Sequence, residues 1–284
     1  MSVTAVDLVR DIKQLVSLPE VSLRISQMAE QGDCTAVELG RVISQDASLS
    51  ARLLRIANSP VYGLSSRVDT VSRAVTLLGL QQIRDLVIGT TATRAFDGIP
   101  TDLVSLQDFW HHSLYCGLLA QELGEASSAS RSESLFLAGL LHDIGQLVMF
   151  YKLPQHMHSA LLRTLQVEDP LPMYRAEREV IGFDHAQVGE ALAELWRLPS
   201  NLRECIAFHH EPGRAKLFPV QVALVHVANA IASLPFIEES ELDDWSGIEE
   251  SAWQQVGLTR DKVMQCCQRA AAHLQEVETL YFER

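Results

Sequence analysis

Residues 137–150 read LAGLLHDIGQLVMF, an apolar run interrupted by the adjacent pair His142 and Asp143 and then by Gly145. The two polar side chains occupy positions where a helix buries leucine and isoleucine. A buried imidazole beside a buried carboxylate costs several kcal/mol unless each is hydrogen-bonded or bound to a metal. The stretch therefore predicts a core helix with a polar interior. A metal ion, a hydrogen-bond network or the remains of a lost site could offset the cost.

Outward from this stretch the same combination recurs. Ser105 and Asp108 form a capping signal for a helix carrying Phe109, Trp110, His111, His112, Leu114, Leu118 and Leu119. A polar loop is expected over 125–134. Residues 177–196 predict one long helix containing His185, with Gly182-Phe183-Asp184 just before it. Residues 200–210 run into His209-His210 before Glu211-Pro212-Gly213, and 219–234 form an apolar helix holding His226 and Asn229. No alternating run is long enough to argue for a sheet, so the periodicity predicts an all-α chain.

His112, His142, Asp143, His185, His209, His210 and Asn229 are thus polar residues set into apolar helices of the second half. A helical bundle can converge such side chains on one point. Imidazoles with one carboxylate suit Fe, Mn, Ni or Zn rather than Ca or Mg. One or two such divalent ions could be held, with Asp143 as the bridge. A metal pair acidifies water and clamps a phosphoryl group, so His142 and Asp143 would be the catalytic pair if the protein is an enzyme. A single histidine in an apolar helix is more often a satisfied core residue; it is the ordered recurrence that points to a shared centre. His226, one turn before Asn229, can face the same point. His111 reads as the exposed neighbour of His112, and His156, His158 and His273 lie in polar contexts.

The first half holds no histidine. Short helices are expected over 5–31, broken at Leu18-Pro19-Glu20, then over 36–45 behind a Thr35/Glu38 capping box, 47–57, 71–78 ending at Gly79, and 82–96. Asn58-Ser59-Pro60 stops the 47–57 helix. Asp97-Gly98-Ile99-Pro100 marks a boundary near 97–104. The expected organisation is a helical subdomain over 1–104, a His/Asp-bearing helical subdomain over 105–236, and an acidic connector with a C-terminal helix over 237–284. In that last helix, 260–282, Val263, Cys267, Ala271, Leu274, Val277 and Tyr281 form one stripe expected to pack on the body.

Composition narrows the function. The 284-residue chain carries a net charge of −13, which disfavours nucleic-acid binding through a basic surface. No apolar run approaches the roughly 18 residues of a membrane span. The amphipathic N-terminus lacks a signal peptide's apolar region, so a cytoplasmic protein is expected. The five cysteines form no C-x-x-C pair and read as buried free thiols.

The order and flanks of these residues resemble the HD superfamily of metal-dependent phosphohydrolases: FWHHS, then LAGLLHDIG, then GFDHAQVG and AFHHEP. The first half, through SLPEVSLRI, ELGRVISQDASLSARLLRIANSPVYG and VSRAVTLLGLQQIRDLVIG, resembles the HDOD branch (HD-related output domain). The resemblance covers roughly 12–234. It implies an HD-type helical bundle with an added N-terminal helical subdomain and a bacterial signal-transduction role. It also implies metal-ligand positions at His112, His142, Asp143, His185, His209 and His210. HDOD domains commonly serve as regulatory outputs with signalling-protein partners, and most are thought to lack hydrolase activity. The alternative it carries is a phosphohydrolase acting on a nucleotide, a cyclic dinucleotide or a phosphomonoester. Three departures count against turnover. Asn229 stands where the late helix usually supplies Asp, Gln146 stands where HD-GYP enzymes usually have Lys, and the GYP signature after the His pair is absent.

Overall fold

Every regular element among the described residues is helical. The computed structural model describes residues 4–12, 16, 18–32, 34–97, 103–127, 134–165, 172–234 and 247–282. The first half contributes α1 (Ala5–Ile12), α2 (Glu20–Gln31), α3 (Ala36–Ile43), α4 (Ala47–Ala57), α5 (Val71–Leu78) and α6 (Leu80–Ala95). The second half contributes α7 (Leu106–Ala126), α8 (Leu135–Leu141), α9 (Ile144–Lys152), α10 (Pro154–Thr164), α11 (Met173–Ile181), α12 (His185–Leu195), α13 (Ser200–Phe208), α14 (Pro219–Ala232), α15 (Glu250–Val256) and α16 (Arg260–Phe282). The expected boundary at 98–102, the loop at 128–133 and the acidic connector over 237–246 lie outside the described residues. No described helix is long and apolar enough to cross a membrane.

Local chemistry sets the ends of these helices. Thr35 and Glu38 form the expected capping box, and Ser105 accepts from the Asp108 amide. The Asn58 amide group donates to the carbonyls of Leu54 and Val68 and accepts from the Val68 N–H, fastening the loop after α4 to that helix. The Asn-Ser-Pro stop is therefore also a clamp.

Two expected helices are broken, and both breaks matter for the site. The helix expected through LAGLLHDIG ends at Leu141 and restarts at Ile144, leaving His142 and Asp143 in the turn between α8 and α9. The helix expected over 177–196 is two. Gly182, at φ +99°, ends α11 in the left-handed region, and Asp184 with Gln187 forms a capping box that starts α12 at His185. Helix ends re-aim side chains that a continuous helix would spread around its circumference.

Glycines set how close the helices approach. A Cβ on Gly139 would lie 2.6 Å from the Gly117 Cα, so α8 crosses α7 backbone against backbone. A Cβ on Gly145 would lie 2.0 Å from the His185 carbonyl oxygen, so α9 meets the start of α12 equally closely. Those two crossings place the helices of His112 and His185 on either side of the His142-Asp143 turn.

One cluster of buried apolar side chains runs from Leu8 to Tyr281. α1 packs on α9 and α12, α6 on α8, and α16 on α7 and α4. The Trp196 indole N–H donates to the Val16 carbonyl at 2.7 Å, and the Trp196 ring meets Phe96 edge-on. On α16 the buried stripe is Val263, Cys266, Cys267, Ala270, Val277 and Tyr281. Ala271, expected in it, is exposed, because the straight 3.6-residue period carries the buried face round to Ala270. Cys116, Cys205, Cys266 and Cys267 are buried thiols and Cys34 is a partly exposed one, none of them in a disulfide.

Candidate metal centre

The turn between α8 and α9 aims the Asp143 carboxylate into the bundle, where its two oxygens face different groups of imidazoles. Oδ2 lies 3.1 Å from His142 Nε2 and 3.6 Å from His112 Nε2. Oδ1 lies 3.1 Å from His185 Nε2 and 3.3 Å from His209 Nε2. His210 Nε2 closes the second group at 2.8 Å from His185 Nε2. Asp143, His185, His209 and His210 form one set able to hold an ion, and His112, His142 and Asp143 another, so Asp143 is common to both.

The opposite ring nitrogens explain why the Nε2 atoms point inward. His142 Nδ1–H donates to the Gly139 carbonyl at 2.7 Å, and His209 Nδ1–H to the Ile206 carbonyl at 2.8 Å. His185 Nδ1–H donates to Glu177 Oε2 at 2.6 Å, and the same oxygen accepts the His185 amide at 2.9 Å. Each bond holds its ring with Nε2 turned inward, the orientation found behind metal-ligating histidines, where a ring that gives up its second proton offers a lone pair.

Burial would lower His142, but Asp143 outweighs it and pushes that imidazole well above its ordinary value. Burial would raise Asp143, but the charge of His142, with His185 and His209 adding to it, holds it well below the usual carboxylate range. Burial and the neighbouring imidazoles push His209 down to about 4 against the pull of Asp143. A neutral His209 thus turns an Nε2 lone pair toward an ionised carboxylate oxygen, acceptor against acceptor. Burial, then His209 and His185, hold His210 well below its ordinary value. Burial also lowers His185, but Glu177 and Asp143 outweigh it and push that imidazole up to about 10. Finally, His142 Nε2 and Asp143 Oδ1 are buried with no hydrogen-bond partner. Buried polar atoms without partners are rare and costly. A divalent transition ion accepting these lone pairs removes both the repulsion and the orphaned atoms, so the residues fit the metal that the resemblance implies.

Asn229 is buried on α14 and hydrogen-bonds His112, placing the late-helix amide beside the first group. His226 is not aimed at the centre. Its Nδ1–H donates to the His209 carbonyl at 2.7 Å and its Nε2 accepts the Glu249 N–H at 2.9 Å, so both nitrogens are used. His111 is exposed beside Glu278. Sequence reasoning missed Glu177, which is fully buried behind His185, and Tyr174, whose ring stacks on His210 with centroids 4.5 Å apart. It also missed Arg178, which joins the Asp184 cap to Glu211, the residue after His210. None of the three carries a signal in a single sequence: all sit on the polar-looking segment MYRAEREVI.

The cluster is reached from a cavity of ≈ 780 Å³ lined by Asp143, Gln146, Tyr174, Arg175, His210 and Asn229 among others. That volume lies in the range of small-molecule sites. A cavity of ≈ 790 Å³ against α4, lined by Arg55, Asn58 and Arg67, holds no imidazole or thiol.

Comparison with known proteins bears on the fold and the family. Over 232 residues the chain is 28% identical to an uncharacterised protein of Treponema pallidum (strain Nichols), covering 81% of this chain but only 44% of that protein. The fold matches an HDOD domain protein with unknown function from Geobacter sulfurreducens, at TM-score 0.74 and 21% identity over 98% of this chain and 97% of the other. It also matches a candidate phosphohydrolase from Shewanella amazonensis SB2B, at TM-score 0.70 and 25% identity over 96% of both chains. The HDOD domain profile matches residues 15–212, and the chain belongs to the HDOD family.

Proposed function

We propose that this chain is a regulatory output module of bacterial signal transduction, acting in the cytoplasm through a signalling-protein partner. It holds one or two divalent transition ions (Fe, Mn, Ni or Zn) and turns over phosphoesters weakly or not at all. The observation that carries the metal is Asp143: each of its oxygens faces a separate set of imidazole nitrogens, and one oxygen is orphaned without an ion. The ligand positions are His112, His142, Asp143, His185, His209 and His210. Asn229, beside His112, is a neutral late-helix donor.

When bound, such ions supply Lewis-acid activation of water and of a phosphoryl oxygen. The chain's own residues supply the rest incompletely. Gln146 and Asn229 line the cavity in place of the lysine and aspartate of HD-type hydrolases, so the wall lacks one cation to hold a phosphate and one anionic donor. The positioning bonds from Glu177, Gly139 and Ile206 are intact, which favours retained metal binding over a relic.

One observation supports the second reading, a phosphohydrolase acting on a nucleotide, cyclic dinucleotide or phosphomonoester: the centre opens onto a ligand-sized cavity instead of being sealed. Metal analysis of protein purified without chelator, followed by assays on a generic phosphodiester and a cyclic dinucleotide, tests both. Near-stoichiometric metal with no turnover above the His142→Ala and Asp143→Ala variants supports the regulatory module. Metal-dependent turnover lost in both variants replaces it with the hydrolase. Less than about a tenth of an equivalent of metal overturns the metal centre in either reading.

A further inference from the structure

The cavity beside the centre has a cation of its own. Arg175 lines it one residue after Tyr174, and it makes no ion pair among the described residues. Arg178, less than one helical turn further on, is already neutralised by Asp184 and Glu211 at 2.6 Å each. Arg175 is thus a cation with no described carboxylate paired to it, in a chain of net charge −13. Its orientation is set from the site side. Arg175 Nε donates to Tyr174 Oη at 3.0 Å, and the Tyr174 ring lies nearly parallel to His210, 12° between planes. That bond uses one edge of the guanidinium and leaves the two terminal nitrogens free, the fork that suits two oxygens of one phosphate.

We infer that Arg175 is the anion-holding residue of this cavity, and that the ligand it takes carries a phosphate, free or esterified. Arg175 supplies the positive charge that Gln146 does not, from a helix unrelated to the His-Asp turn. Tyr174 joins the two functions: it stacks on His210 and accepts from Arg175, so the phosphate-holding group is tied to the centre. Of the other cavity-lining groups, Gln146, Asn229 and Ser233 are neutral, His185 is already paired with Glu177 and Asp143, and Asp143 and Glu249 repel an anion. Recognition of phosphate therefore falls on Arg175 and any bound cation. The inference rests on the metal-centre reading above.

The test is isothermal titration of the full chain with inorganic phosphate and, separately, with a cyclic purine dinucleotide, alongside metal analysis of each sample. Arg175 is exposed, so Arg175→Ala leaves the fold intact, which thermal melting verifies. The expected result is unchanged metal content with phosphate-group affinity about tenfold or more weaker in Arg175→Ala. Arg175→Lys, which keeps the charge and loses the fork, falls between. If only the dinucleotide binds, the ligand is a phosphodiester; if both bind, the phosphate group alone suffices. Metal-replete wild type that binds neither, or an Arg175→Ala variant that binds as the wild type does, overturns the role of Arg175 and leaves the metal centre standing. Wild type without metal overturns both.

Discussion

The substitution Gly145→Ala tests whether helix approach, and not ligand identity alone, builds the centre. The added Cβ would lie 2.0 Å from the His185 carbonyl oxygen and 2.5 Å from the Gly189 nitrogen. Both contacts are backbone, so no side chain can swing aside. The first falls roughly 1.4 Å short of the 3.4 Å at which ordinary contact begins, and α12 must withdraw by about that much. His185 is the first residue of α12, and its Nε2 lies 3.1 Å from Asp143 Oδ1, so the same withdrawal takes it out of the cluster. Overpacking of this kind costs about 1–3 kcal/mol. At about 2–4 °C per kcal/mol for a chain near this size, the melting temperature falls by roughly 2–12 °C. Metal affinity, measured by competition with a chromophoric chelator, falls at least about tenfold as one ligand is misplaced. Gly182→Ala is the control. Gly182 has φ +99°, and a Cβ there would meet no atom within 4 Å, so the variant suffers only backbone strain of about 1–2 kcal/mol and keeps its metal. If Gly145→Ala melts and binds metal like the wild type, the close crossing of α9 and α12 is not what places His185.

Three further outcomes follow from the supporting residues. Glu177→Gln keeps the shape but weakens the acceptor behind His185, and metal affinity drops about 10–100-fold in the same chelator competition. His226→Ala removes the link between the His209 carbonyl and the Glu249 amide, costing about 1–3 kcal/mol in denaturant unfolding, while metal stoichiometry is unchanged because His226 is not a ligand; loss of metal would reverse that assignment. Glu211 is held down at about 2, first by its hydrogen bonds to Arg178. A depressed carboxyl stabilises the fold above its unfolded value of 4.5 and loses that contribution as pH falls toward about 2. The melting-temperature gap between wild type and Glu211→Gln is therefore widest above about pH 5 and closes near pH 2; a gap that does not vary with pH refutes the pairing with Arg178.

The His/Asp cluster was legible because its residues violate the pattern around them. His142, Asp143 and His185 interrupt runs that otherwise read as core, and a polar group inside an apolar run must be satisfied by something. Helix positions were legible for the same periodic reason, and caps such as Thr35 with Glu38 marked their ends. The breaks at His142-Asp143 and at Gly182 were harder. Histidine and aspartate do not by themselves stop a helix, and one glycine in a polar-apolar pattern is tolerated as often as it terminates. What a single sequence hides is the supporting layer. MYRAEREVI has the composition of a solvent-facing helix, yet Glu177 within it is fully buried, because α11 packs between α10 and the start of α12, where Glu177 meets His185. Arg175 and Arg178 are three residues apart on that helix and identical in type. Only tertiary structure separates them, one neutralised by Asp184 and Glu211, the other left facing the cavity. The residues of the candidate metal centre announce themselves by their cost within their own helix. The residues that orient those ligands, or would hold the substrate, have no such cost until the helices are packed.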